Sequence, residues 1–140
     1  MIPSWVGDYI GLPWLSGGRD KSGIDCWGLY RLVYEDKVGI TLPLKSEHEY
    51  KDKNSKDSLA QAIADEAREW SPVCVKTAKL TDLILFRCLG QPIHVGMVVD
   101  PSKKIMLHIE QDKKSCIDHY NGPAWNKRIF ALYRHGRGSS

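Results

Sequence analysis

Three side chains in this sequence are typed and placed for covalent chemistry: Cys26, His94 and His108. Cys26 follows Asp25 where the charged stretch RDKSGI gives way to an apolar helical pattern, CWGLYRLVY. A structural cysteine prefers to be buried and inert. One at a helix N-terminus meets unpaired backbone N–H groups and the positive end of the helix dipole, both of which favour a thiolate. His94 and His108 lie fourteen residues apart, on either side of the turn signal Asp100-Pro101-Ser102-Lys103. Side chains alternate across a strand, so a turn with an odd residue count would set His94 directly opposite His108 on one face. Nucleophile, base and orienting group then stand in order. Cys26 would attack and His94 would take its proton. His108 would hold the far nitrogen of His94, and the backbone N–H of Cys26 would help bind an oxyanion. The chemistry is acyl transfer: attack on an amide, a thioester, then hydrolysis. Plainer roles are open to each residue, a packed thiol or a satisfied core imidazole. The three could also ligate zinc, but no fourth ligand is legible and neither C-x-x-C nor H-E-x-x-H accompanies them, so no metal is expected.

The elements that must position these groups follow from periodicity. Trp27, Leu29, Tyr30, Leu32 and Val33 predict a helix over 26–37, with Asp25 as its N-cap and Gly39 just past its end. A short helix is expected at 5–10 and a second long one at about 58–70, the latter capped by Asp57 or Ser58. Between them, residues 44–57 are polar and charged and predict a surface loop that could act as a lid. The second half changes period. Strands are expected at 83–87, 93–99, 104–110, 116–120 and 128–134, with Asn121-Gly122-Pro123 breaking the chain. On the hairpin, Val95, Met97, Val99, Ile105, Leu107 and Ile109 form one wholly apolar face. Gly96, Val98, Met106 and Glu110 share the histidine face, where Gly96 would allow close approach of a helix end or a substrate. Helices first and strands afterwards imply an α+β domain, its helices packed on one face of an antiparallel sheet. The domain is expected to span 1–135, with 136–140 a frayed tail.

Bulk properties exclude several classes. The 140 residues carry a formal charge of +3, 42% hydrophobic and 26% charged residues, which suits one ordinary domain and not a nucleic-acid binder. No apolar run is long enough to span a membrane. MIPSWVGDYIGLPW lacks the basic and continuous apolar parts of a secretory leader, so synthesis in the cytoplasm without a signal peptide is expected. Cys26, Cys74, Cys88 and Cys116 show no disulfide spacing; the last three are expected to pack as small hydrophobes. His48, His119 and His135 have no legible partner.

At residue level the chain resembles a known family. LPWLSGGRDKSGIDCWGLYRLVY is similar to the nucleophile segment of the NlpC-type cell-wall cysteine peptidases, which have a papain-like fold; LTDLILFR resembles the strand before the family's histidine, and IHVGMVVD with KIMLHIEQ its histidine hairpin. The resemblance implies hydrolysis of amide bonds in peptidoglycan stem peptides, typically between D-glutamate and the following diamino acid, with no cofactor. It carries the nucleophile to Cys26, the base to His94 and the third polar residue to His108, with Glu110 as rival. Asp25 matches the acid that supports the loop or a substrate amine. Trp27 stands where common members have Ser, and Trp14 where many have a Tyr facing the oxyanion, so both are expected at the substrate pocket with Asp25 and Gly96. The Trp after the nucleophile and the ending FALYRH resemble the phage-tail and prophage branch. That implies peptidoglycan as partner, tail proteins as possible neighbours, and action at the wall after delivery by a virion tail. An interbacterial effector amidase and a non-catalytic tail-assembly or wall-binding module are the competing functions.

Overall fold

The computed structural model describes residues 2–42, 70–88 and 91–136. Helix α1 (Cys26–Val38) begins where Asp25 accepts a hydrogen bond from the Gly28 N–H at 2.8 Å, satisfying one of the free donors of the first turn. It ends at Gly39, whose φ of 84° places it in the left-handed region, with its N–H on the carbonyls of Tyr34 and Glu35. Trp27, Tyr30 and Tyr34 stack along the helix at 6.0 and 5.5 Å between ring centres, and Trp70 tilts against the last two.

Ahead of α1 lie a 3-10 turn at Ser4–Tyr9 and two very short paired strands, β1 (Arg19–Asp20) and β2 (Gly23–Ile24). The main sheet holds β3 (Trp70–Val73), β4 (Leu83–Cys88), β5 (Gln91–Asp100), β6 (Ile105–His108), β7 (Cys116–His119) and β8 (Ile129–His135). Their order is β3-β8-β4-β5-β6-β7, antiparallel throughout. The last strand in sequence thus lies inside the sheet. Asp82, at the start of β4, takes a bidentate ion pair from Arg134 of β8 at 2.9 and 2.8 Å, with a third hydrogen bond from the Lys79 N–H.

The α+β expectation holds, with α1 packed against one face of this sheet. The face expected to be apolar meets the helix: Val95, Met97, Val99, Ile105, Leu107 and Ile109 are buried with the α1 aromatics in one core. The opposite face is covered too. Ile84, Phe86, Val98, Met106, Tyr120, Trp125 and Leu132 form a second buried cluster there, so the histidine face is roofed by the segment after β7. The hairpin register differs from expectation. Gly96, and not His94, pairs with His108. The connection is the four-residue turn 101–104 plus a bulge between Val98 and Asp100. Together these act as an odd count, so the parity is kept while the pairing slides by two residues.

Trp70, expected to close a helix, instead opens β3 and pairs with His135, whose ring meets it edge-on at 5.0 Å. Pro72 is tolerated because β3 is an edge strand. The expected loop at 44–57, the helix over 58–69, His48 and the tail from 137 lie outside the described residues. Among the described residues no helix is long and apolar enough to cross a membrane.

Gly28 lets the segment around Gly18 lie on the first turn of α1: a Cβ there would run into the Gly18 carbonyl and come within 3.0 Å of Ile24 Cγ1. Gly28→Ala, which in an ordinary helix interior gains about 1 kcal/mol, should therefore destabilise the protein, by about 2 kcal/mol. Urea unfolding measures this, and a neutral or stabilising result would detach the loop from the helix in solution.

Candidate active site

Cys26 is the first residue of α1 and is 5% exposed. Asp25 beneath it is wholly buried, and its carboxylate accepts hydrogen bonds from both the helix and the loop. They come from Gly28 N–H at 2.8 Å, Arg19 Nη1 at 2.7 Å and Gly17 N–H at 3.1 Å. These bonds are those of the loop support expected of Asp25. Arg19 also donates to the Gly18 carbonyl at 2.8 Å, so the loop is fastened to the helix mouth.

α1 packs against β5 and β6, the strands that carry His94 and His108. Although the two histidines are not directly paired, two-residue offsets keep side chains on one face, within reach across a diagonal. His94 Nε2 lies 2.9 Å from His108 Nδ1. His108 Nε2 in turn lies 2.9 Å from Asp118 Oδ2 on β7. The polarity of this line follows from its end. A carboxylate oxygen only accepts, so His108 Nε2 carries the proton and donates to it. His108 is 1% exposed. Burial pushes its pKa below the ordinary value, against the opposing pull of Asp118, and this favours the neutral ring. A neutral ring protonated at Nε2 accepts at Nδ1, so His94 donates from Nε2 and keeps its lone pair at Nδ1. The line thus holds His94 in the tautomer whose Nδ1 can take a proton.

The walls are aromatic. Trp125 stacks on His94 at 5.2 Å and 19°, meets His108 edge-on at 4.9 Å, and Phe86 flanks His94 at 5.6 Å. Around such a pair water is excluded and each hydrogen bond is electrostatically stronger.

The other residues singled out in the sequence take varied places. Trp27 is fully buried and stacked on Tyr30, so it belongs to the core and not to a pocket: one helical step of about 100° from Cys26 turns it inward. Gly96 faces protein: a Cβ there would meet Met106 Sδ at 2.9 Å, Phe86 at 3.4 Å and His108 Cβ at 3.5 Å, so the missing side chain makes room for the histidine hairpin itself. Trp14 is partly exposed and lines a shallow surface cleft of about 320 Å³ with Pro13, Asp112, Lys113 and Lys114. Glu110 pairs with Lys113 at 3.6 Å while His108 holds the contact to His94. Cys74 is exposed and Cys116 half-buried beside His108, so neither packs as a core hydrophobe. His135 is a core ring on Trp70 and Tyr34. Asp118, Trp125 and Phe86 were not expected. For Asp118 a signal existed: it is two residues from Cys116 on a predicted strand, hence on the face of the residue opposite His108.

The sequence profile of the NlpC/P60 family matches residues 11–134. Among curated proteins, the chain is 26% identical over 121 residues to the murein DD-endopeptidase MepS/murein LD-carboxypeptidase of Escherichia coli K12, covering 86% of this chain and 54% of that protein. It is 23% identical over 136 residues to a probable endopeptidase of Haemophilus influenzae, covering 96% of this chain and 73% of that one. The chain therefore spans about half the length of the E. coli relative. Among solved structures, the NlpC/p60 domain of the peptidoglycan hydrolase SagA superposes with a TM-score of 0.62 at 21% identity over 91% of both chains. An NlpC/P60 family protein from Bacillus cereus gives 0.67 at 20% identity over 96% of this chain and 41% of its own. At these identities the likeness is one of fold.

In 15N-labelled Cys26→Ala protein at about pH 8, above the ordinary imidazole range, the His94 ring should read as the Nε2–H tautomer. Asp118→Ala should convert it to a mixture. A ring protonated at Nδ1 with Asp118 in place would reverse the direction of the line.

Proposed function

The chain belongs to the NlpC/P60 family, and from that premise we propose that it is a cysteine peptidase hydrolysing amide bonds in peptidoglycan stem peptides. The observation that carries the proposal is the unbroken line Asp118–His108–His94, which fixes one imidazole tautomer on a strand against which the Cys26 helix packs.

The steps follow from the parts. His94 Nδ1 takes the Cys26 thiol proton, and the resulting thiolate is favoured by the free N–H groups and dipole of α1. Sulfur attacks the amide carbonyl; the oxyanion meets the Cys26 N–H at the helix mouth. The imidazolium of His94, still donating from Nε2 to His108, returns its proton to the departing amine. Water then attacks the thioester with His94 again as base, releasing the acid and restoring the thiol. Lys113 and Lys114, exposed beside Trp14, suit a ligand rich in carboxylates, as stem peptides are. Trp14 contributes a flat wall and an indole N–H to that cleft. The bond between D-glutamate and the following diamino acid is the proposed point of cleavage.

The proposed setting is the cell wall, reached by a phage tail, on the strength of Trp27 after the nucleophile and the FALYRH ending. Tail genes beside this one would support it; an adjacent immunity gene would favour an interbacterial effector.

Purified stem peptides incubated with the protein should yield fragments by mass spectrometry, and Cys26→Ala should abolish them, with a loss of about 10³-fold or more. Cys26 should alkylate with an apparent pKa below the roughly 8.5 of a free thiol, and His94→Ala should raise it. A normally titrating Cys26 with no cleavage of any wall fragment would favour the non-catalytic wall-binding or tail-assembly module. Separately, Trp14→Phe should weaken turnover; unchanged turnover would return Trp14 to a packing role.

A further inference from the structure

Cys116 has no role in the proposed reaction, yet its thiol joins the end of the hydrogen-bonded line, in reach of both His108 and Asp118. Cys116 and Asp118 project from the same face of β7, beside His108. Cys116 Sγ is 3.7 Å from His108 Nε2 and 3.8 Å from Asp118 Oδ2, and those two atoms are 2.9 Å apart. Zinc held tetrahedrally by one sulfur, one nitrogen and one oxygen keeps these atoms roughly 3.3–3.6 Å apart, given bonds of about 2.0–2.3 Å. The triangle therefore has the size of three corners of a zinc tetrahedron, to within about 0.4 Å. A thiolate, an imidazole and a carboxylate are also the donor set that metal prefers. The Asp118 side chain is 44% exposed, which leaves an approach from solvent. Cys26, His94 and His108 are the zinc set that the sequence brings to mind. Here the atoms that converge are instead those of His108, Cys116 and Asp118.

We propose that His108, Cys116 and Asp118 form a zinc site with a water in the fourth position, and that zinc bound there silences Cys26 by reversing the His94–His108 hydrogen bond. The silencing half rests on Cys26 and His94 acting as thiol and base; the metal-binding half does not.

The reversal is forced by counting protons. Zinc takes the Nε2 lone pair of His108, so that ring's one proton must sit on Nδ1. It then donates to His94 Nε2, whose own proton moves to Nδ1, where no lone pair remains for the thiol. Each imidazole keeps one proton. The S–H bond of Cys116 breaks, its proton passes to solvent, and sulfur, nitrogen and oxygen each form a bond to zinc in place of metal-bound water.

The test uses the full chain, freed of metal by a chelator. Cobalt(II) should give a thiolate-to-cobalt charge-transfer band at one equivalent. The band should persist in Cys26→Ala and vanish in Cys116→Ala, or in Cys116→Ser should alanine loosen this edge strand. Zinc at one equivalent should then slow Cys26 alkylation, read on its own peptide by mass spectrometry, by about tenfold or more. In Cys116→Ala the alkylation rate should match that of the metal-free protein and ignore zinc. No band, or a band lost in Cys26→Ala but kept in Cys116→Ala, overturns the site. A band as expected with alkylation indifferent to zinc overturns the silencing alone. A Cys26 that is unreactive even without metal defeats the peptidase proposal instead, while the cobalt band still decides the site.

Discussion

A single buried carboxylate holds the Cys26 end of this fold together. Asp25 has no exposed surface, and a buried charge is tolerable only when its lone pairs are occupied. It occupies them with the first turn of α1, the Gly17 N–H and the guanidinium of Arg19. The same oxygen atoms thus start the helix, fix the orientation of Cys26 and fasten the preceding loop across that helix mouth. From the loop the constraint runs on through β2 to Pro13 and Leu15, whose backbones bond to Ile24 on either side of Trp14. Removing the carboxylate would take an acceptor from Arg19, Gly17 and the first turn of the helix together, and the wall containing Trp14 would lose its anchor.

On the sheet side the controlling property is direction rather than strength. Hydrogen bonds between two imidazoles can run either way, and only an outside group breaks the tie. Asp118 does so from the partly exposed edge of the sheet, while Trp125 packs on both rings and Phe86 on that of His94. Proton position at His94 is therefore decided by a residue two contacts away.

Much of this was legible in the sequence. Period-two alternation found both faces of the hairpin, and the N-cap and C-cap signals bounded α1. Alternation is blind to slides of two residues, however, and the bulge near Val98 produces one. It also says nothing of which irregular segment covers a face: Trp125 lies in a stretch without periodicity, placed by the chain reversal after β7. Asp118 sits on an edge strand where carboxylates ordinarily meet water. Trp27 could have been placed by its i, i+3 and i+7 spacing to Tyr30 and Tyr34, a stripe that outweighs its adjacency to Cys26.

The position of β8 inside the sheet has a consequence for how the protein comes into being. On a ribosome, residue 26 emerges long before 94, 108 and 118, and β4 gains its second neighbour only when Ile129–His135 follow. Ser115 must likewise reach back over 103 and 106 residues to bond Leu12 and Tyr9. Such distant pairings close late. The thiol therefore travels through synthesis without a partner imidazole or a cleft. Whatever reactivity this site possesses waits until Ile129–His135 have joined the sheet.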